Sequence, residues 1–179
     1  MAETLILLCH PDYPSSRANR ALADAARTVP EVEVVHLDAL YPDGRIDAGP
    51  EVARLIAARR LVLQFPVQWY STPPLLKSWQ DLVLTRMFYV NAEDEGARIA
   101  GRPVMVAATA GNRPEAYSES GVNLFPLSDL LRPLQATAHR CALEWQEPFL
   151  NFGARSASNT ALEAAGQAYA ERLRALAGG

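Results

Sequence analysis

Cysteine is nearly absent from this 179-residue chain: Cys9 and Cys141 stand far apart, each inside an apolar run. That excludes a disulfide scaffold, suits a reducing compartment, and makes two buried small hydrophobes the expected reading. Charge is nearly balanced, with 17 Lys and Arg against 20 Asp and Glu for a net −3. No basic excess marks a face for nucleic acid. No apolar run approaches the roughly 18 residues of a membrane span, and the first, 5–9, lacks the length and basic flank of a secretion signal. His10, His36 and His139 have no ligand-like spacing, so no metal site is expected. The motifs G-x-G-x-x-G, G-K-[ST] and G-x-S-x-G are all missing. This removes the dinucleotide fingerprint, the Walker loop and the hydrolase elbow. Cys9 and Arg17 are too far apart, with Pro11 and Pro14 between them, for a cysteine-phosphatase loop. The expectation is one soluble cytoplasmic domain over residues 1–179.

What is present is alternation. Continuous apolar runs at 4–9, 61–65 and 104–109 suit strands buried on both faces of a parallel sheet. A more alternating run at 32–37 reads as nearer an edge, and 141–145 as a weaker fifth strand. Helical spacing fills the gaps at 16–28, with Ser16 as its cap, and at 50–58, opened by Pro50 and Glu51. Further helices read at 74–84, at 127–138 with Pro133 as a kink or a reset of the helix start, and from Thr160, where Glu163 completes a capping box. Residues 41–49 and 87–102 read as long loops. Alternating strands and helices predict an α/β, doubly wound, five-stranded parallel sheet in three αβα layers.

Such sheets bind ligands beyond the carboxyl ends of their strands. After the first strand come His10, Ser16, Arg17, Ala18 and Asn19. They bring a hydroxyl, a guanidinium, an amide and free N–H groups to a helix start, an arrangement suited to an anion. A plain strand-to-helix loop would use the same residues. After the third strand, Pro66, Val67, Gln68, Trp69 and Tyr70 place two aromatics in a proline-stiffened loop. That loop could stack a planar ligand or plug the next helix. After the fourth, Thr109, Ala110, Gly111 and Asn112 form a turn whose glycine admits close approach, leading to Tyr117. Together the loops describe a cleft with a phosphate end and an aromatic end.

The segments His10-Pro11, Ser16-x-Ala18-Asn19, Gln64-Phe65-Pro66-Val67-Gln68-Trp69-Tyr70-Ser71-x-Pro73-Pro74 and Leu131-Arg132-Pro133-Leu134-Gln135 resemble the flavodoxin-like NAD(P)H:quinone oxidoreductases. Within that family the resemblance is to the bacterial branch of potassium-efflux ancillary flavoproteins, with mammalian DT-diaphorase more distant. It implies strand order 2-1-3-4-5, an FMN group with FAD as the alternative, NAD(P)H as co-substrate, a quinone acceptor and a homodimer. It further implies that His10 and Ser16 to Asn19 hold the flavin phosphate. Pro66 to Tyr70 would line the isoalloxazine, Thr109 to Asn112 its edge, and Tyr117 the substrate side, as the catalytic candidate. This chain departs from the family in Cys9, where alanine is usual, in Thr109-Ala110-Gly111-Asn112 in place of Thr-Thr-Gly-Gly, and in Met87-Phe88-Tyr89-Val90-Asn91. The histidine that follows the active-site tyrosine in DT-diaphorase has no counterpart between Tyr117 and His139.

Hydride chemistry would belong to the flavin. With no fingerprint for a separate nicotinamide site, nicotinamide and acceptor would take turns at one flavin face, in ping-pong fashion. Three other readings stay open: a flavin-loaded regulatory subunit of a membrane transporter at the inner face of the membrane, an FMN or azo reductase, and a one-electron carrier.

Overall fold

The computed structural model describes residues 3–178. Its central parallel sheet contains β1 (Thr4–Leu8), β2 (Val32–His36), β3 (Arg60–Pro66), β4 (Pro103–Thr109), β5 (Glu144–Trp145) and β6 (Phe149–Asn151). The order is β2-β1-β3-β4-β5, with β6 also paired to β4. The expected fifth strand is therefore two short pieces on one edge of β4. Pro103 faces Glu144, while Ala107 faces Phe149. The register slips by one residue between the pieces, and Pro148, lacking an N–H, lies in the interruption.

Alternation within the strands builds two cores. Leu5, Leu7, Leu61, Leu63, Phe65 and Val106 pack against helices α3 (Ala48–Ala57), α4 (Pro74–Trp79) and α6 (Arg132–Arg140). Ile6, Val62, Met105 and Ala107 pack against α1 (Ala18–Ala26) and α7 (Asn159–Gly178). Gly166 brings these last two helices together, since a side-chain carbon there would lie 3.1 Å from the Ala21 carbonyl oxygen. Two short helices complete the set, α2 (Leu37–Leu40) and α5 (Leu127–Leu130). The break between α5 and α6 falls at Leu131, two residues before Pro133, so that proline resets the helix rather than bending it. Cys9 and Cys141 are buried and free.

Three sequence expectations need correction. Ser16 does not cap α1: the helix begins after Arg17, which makes no side-chain cap bond. The Thr160–Glu163 capping box is replaced by Ser158, whose Oγ accepts from Ala161 N at 3.1 Å. The loop expected at 87–102 is partly helical. After α4 the chain continues through two wider π turns, Gln80–Leu84 and Arg86–Val90, before a 3-10 turn at Gly96–Ile99.

Arg86 and Glu95 fasten that segment with a bidentate pair, 2.6–3.1 Å apart. The guanidinium holds the Glu95 carboxyl below its ordinary value. A depressed folded value stabilises above the ordinary carboxylate pKa of about 4.3, and the gain is lost as pH falls through the folded value. Thermal melts between about pH 5 and 3 are therefore expected to fall more steeply for the native chain than for Glu95→Gln. Parallel curves would contradict the assignment.

Candidate functional site

The strand order sets β1, β3 and β4 side by side, so the loops leaving their carboxyl ends form one rim. The sequence-predicted residues gather there, though not all in the roles expected.

The first loop is tightly pinned. His10 N donates to Asp38 Oδ2 at 2.7 Å, and His36 Nε2 lies 3.4 Å from the His10 carbonyl oxygen and 3.6 Å from Asp38 Oδ2. Asp12 N donates to His10 Nδ1 at 3.2 Å, and the Tyr13 ring lies against His36 with centroids 4.7 Å apart. Burial pulls the His10 pKa down, against the opposing pull of Asp38. Burial and then Asp38 raise the Cys9 thiol, so the cysteine that replaces the usual alanine packs as a neutral side chain and offers no nucleophile.

The start of α1 presents its unpaired first-turn N–H groups, with Ser16 buried beside them. The Arg17 guanidinium is exposed and donates to Asn159 Oδ1 at 2.8 Å. Asn19 differs from expectation. Its side chain is buried and turned inward, with Nδ2 donating to Thr109 Oγ1 at 2.8 Å. Gln64 Nε2 donates to the Asn19 carbonyl oxygen at 2.9 Å. The Gln64–Asn19–Thr109 set ties α1, β3 and β4 together beneath the rim. A glutamine inside an apolar strand was its only sequence signal.

The second loop is a tight two-residue turn. Gln68 and Ser71 exchange backbone hydrogen bonds of 2.9 and 3.0 Å. Trp69 and Tyr70 between them have φ of +44° and +66°. Positive φ at both central residues marks a type I′ turn, normally made by Asn-Gly. Here two aromatic residues adopt it, and Trp69 is 94% exposed. Val67 N donates to the Thr109 carbonyl oxygen, extending the β3–β4 ladder past Pro66.

In the third loop Ala110 N donates to the Asn151 carbonyl oxygen. The Val67, Gln68 and Ala110 N–H groups are thus committed to the backbone. Among the described residues, those of Trp69, Tyr70, Gly111 and Asn112 have no backbone acceptor. Tyr117 packs against Phe152 with centroids 5.6 Å apart. Burial, then the nearby Tyr70, push its pKa up, so it stays a neutral hydroxyl through the working pH range. Sequence reasoning missed Asp38, Phe152 and Asn123; the last accepts from the Tyr70 hydroxyl at 3.3 Å and belongs to no motif.

A shallow concavity of about 600 Å³ lies elsewhere, between α1 and α7. Its lining includes Asp24, Glu163, Glu171 and Arg174, none of which belongs to the loops of the rim. Among the described residues no cluster of His, Cys, Asp and Glu is arranged to hold a metal ion.

Residues 2–175 match a family described by its flavodoxin-like fold. The chain is 40% identical over 168 residues, 94% of its length and 90% of the relative's, to a glutathione-regulated potassium-efflux system ancillary protein, KefG, of Cronobacter sakazakii. It is 34% identical over 171 residues, 96% and 86% of the two lengths, to an uncharacterized NAD(P)H oxidoreductase of Bacillus subtilis. Among solved structures, general stress protein 14 of Treponema denticola in complex with FMN superposes with a TM-score of 0.87 at 32% identity. That match covers 97% of this chain and 99% of the other.

Proposed function

The chain belongs to the family of flavodoxin-like fold, and from that premise we propose that it is a flavin-dependent NAD(P)H oxidoreductase reducing quinones or similar two-electron acceptors. One observation carries the reading: a helix start with unpaired N–H groups and a strained, aromatic-bearing turn stand at the carboxyl ends of adjacent strands. The donor chemistry fits FMN, which the Treponema relative holds. First-turn N–H groups of α1, Ser16 and Arg17 would hold a phosphate, with His10 at its edge. Trp69 and Tyr70 would cover the isoalloxazine. Gly111 and Asn112 would reach its polar edge through their free N–H groups. When bound, the flavin would supply the hydride and electron-transfer chemistry between NAD(P)H and the acceptor.

The chain's own part is orientation and electrostatics. The unpaired N–H groups of the second and third loops stabilise negative charge at the ring edge, as preorganised donors do. Tyr117, neutral and packed on Phe152, offers a hydrogen-bond donor on the substrate side. FAD remains the alternative cofactor, and a homodimer is the assembly we propose. No helix among the described residues is long and apolar enough to cross a membrane, and we propose a cytoplasmic location.

The names of the efflux-system relatives favour a second reading: a transporter-bound ancillary subunit at the inner face of the membrane, using the same flavin site. Colour decides the primary question. The purified protein is expected to be yellow, or to become so with FMN, and to bleach on adding NAD(P)H. A colourless protein that takes up neither FMN nor FAD would sink the reading. Co-purification with a membrane protein tests the second.

A further inference from the structure

Resting on the flavin reading above, we infer that Asn123 is the hydrogen-bond donor that orients the oxygen of the electron acceptor, on a loop, 117–125, that forms the acceptor's wall. The loop is unusual in composition and in rigidity. Val122 is 84% exposed, Leu124 54% and Phe125 51%, yet the backbone beneath them is fixed. Asn123 N donates to the Ala116 carbonyl oxygen at 2.9 Å, Leu124 N to that of Gly121 at 3.0 Å, and Phe125 N to that of Asn123 at 2.7 Å. The fold-back requires Gly121, because a side-chain carbon there would lie 2.4 Å from the Ala116 carbonyl oxygen.

Asn123 is therefore held in place, and its side chain is half used. Oδ1 accepts from the Tyr70 hydroxyl at 3.3 Å. That orientation turns the Nδ2 amino group away from Tyr70. It is buried and has no partner within the described residues. Native folds rarely leave a buried donor without an acceptor unless a ligand, an ion or water completes it. Tyr70 belongs to the turn that would cover the flavin ring, and Tyr117 lies close enough to feel it. Asn123 is thus one hydrogen bond from the turn that would cover the ring.

The surroundings define the ligand. The walls are aromatic rings and exposed aliphatics, and the donors, Asn123 Nδ2 and the Tyr117 hydroxyl, are neutral. This suits a planar, uncharged molecule bearing carbonyl oxygens. An amide does not titrate, so Asn123 orients the oxygen without supplying a proton to it.

The test uses FMN-loaded protein and tetramethyl-1,4-benzoquinone. Its Kd for the oxidised protein is read from the flavin absorbance without NADPH. Its kcat/KM is then compared with that for ferricyanide, which needs no carbonyl contact. Asn123→Leu is expected to weaken quinone binding about tenfold and lower the quinone-to-ferricyanide ratio about tenfold, the size of one lost hydrogen bond. Asn123→Asp, isosteric but without the donor, is expected to do the same, and it carries the test if the leucine variant fails to fold. A yellow variant that binds the quinone within twofold of the native protein overturns the role of Asn123 alone. A native protein that takes up no flavin overturns the flavin reading and this role with it.

Discussion

Glu51→Leu is expected to cost about 3–5 kcal/mol of folding stability, the usual loss when one partner of a buried ionic network is removed. Glu51 is 1% exposed. Its Oε1 accepts from the Tyr41 hydroxyl at 2.9 Å and from Arg54 Nη1, and its Oε2 accepts from Trp79 Nε1 at 2.9 Å. One carboxylate thus joins α3, the loop after α2, and α4. Leucine fills a similar volume but leaves Arg54 Nη1 and Trp79 Nε1 without this acceptor and Tyr41 with only the Asp47 carbonyl oxygen at 3.3 Å, and the indole N–H sits on a side chain that is itself 1% exposed. Urea unfolding measures the loss; a change below about 1 kcal/mol would show that water or rearrangement replaces the carboxylate.

A second readout is independent of stability. Burial, and then the bond to Glu51, push the Tyr41 pKa up to about 12. A raised folded value means that Tyr41 stabilises throughout the neutral range and loses that contribution only as pH climbs through the folded value. In Glu51→Leu the phenolate absorbance of Tyr41 is expected to appear nearer the ordinary value of about 10. An unmoved titration would count against the bond.

Glu51 also shows where the sequence was silent. An acidic residue just after a proline at a helix start reads as a surface complement to the helix dipole. Nothing local indicates that Trp79, 28 positions on, will close over it. The strands were legible because strands buried on both faces are written as unbroken apolar runs, and β1, β3 and β4 fall where those runs lie. The second half of the fifth strand escaped because Phe149–Asn151 has three residues and follows a proline. The helical turns beyond Leu84 escaped because Tyr89 and Val90 are exposed, so they break the apolar period.

The position of the rim loops was legible from topology, and their residue types are those that would suit an anion and a planar ring. Which groups face outward was not legible. That Asn19 turns in toward Thr109, and that Asn123 meets Tyr70 across 53 positions, are products of tertiary packing.

Replacing Trp69-Tyr70 by Asn-Gly is expected to stabilise the flavin-free protein while weakening FMN binding at least tenfold. A non-glycine residue in the left-handed region carries roughly 1–2 kcal/mol of backbone strain, and both central residues of this turn are there. Asn-Gly is the pair that type I′ turns prefer. The substitution sacrifices little packing: Trp69 is 94% exposed and Tyr70 45%, and the Tyr70–Asn123 bond is long at 3.3 Å. Relief of strain should therefore prevail, and the melting temperature of the flavin-free protein should rise by several degrees. A sequence folding for stability alone would not place an exposed tryptophan and a tyrosine side by side in a turn that penalises both. The strain is accounted for if the turn exists to hold those rings, and their free N–H groups, against a planar ligand. Calorimetry of the flavin-free variant and fluorescence titration with FMN separate the two effects. A stabilised variant that binds FMN as tightly as the native protein would detach the turn from the cofactor. A destabilised one would show that the aromatic pair supports the fold itself.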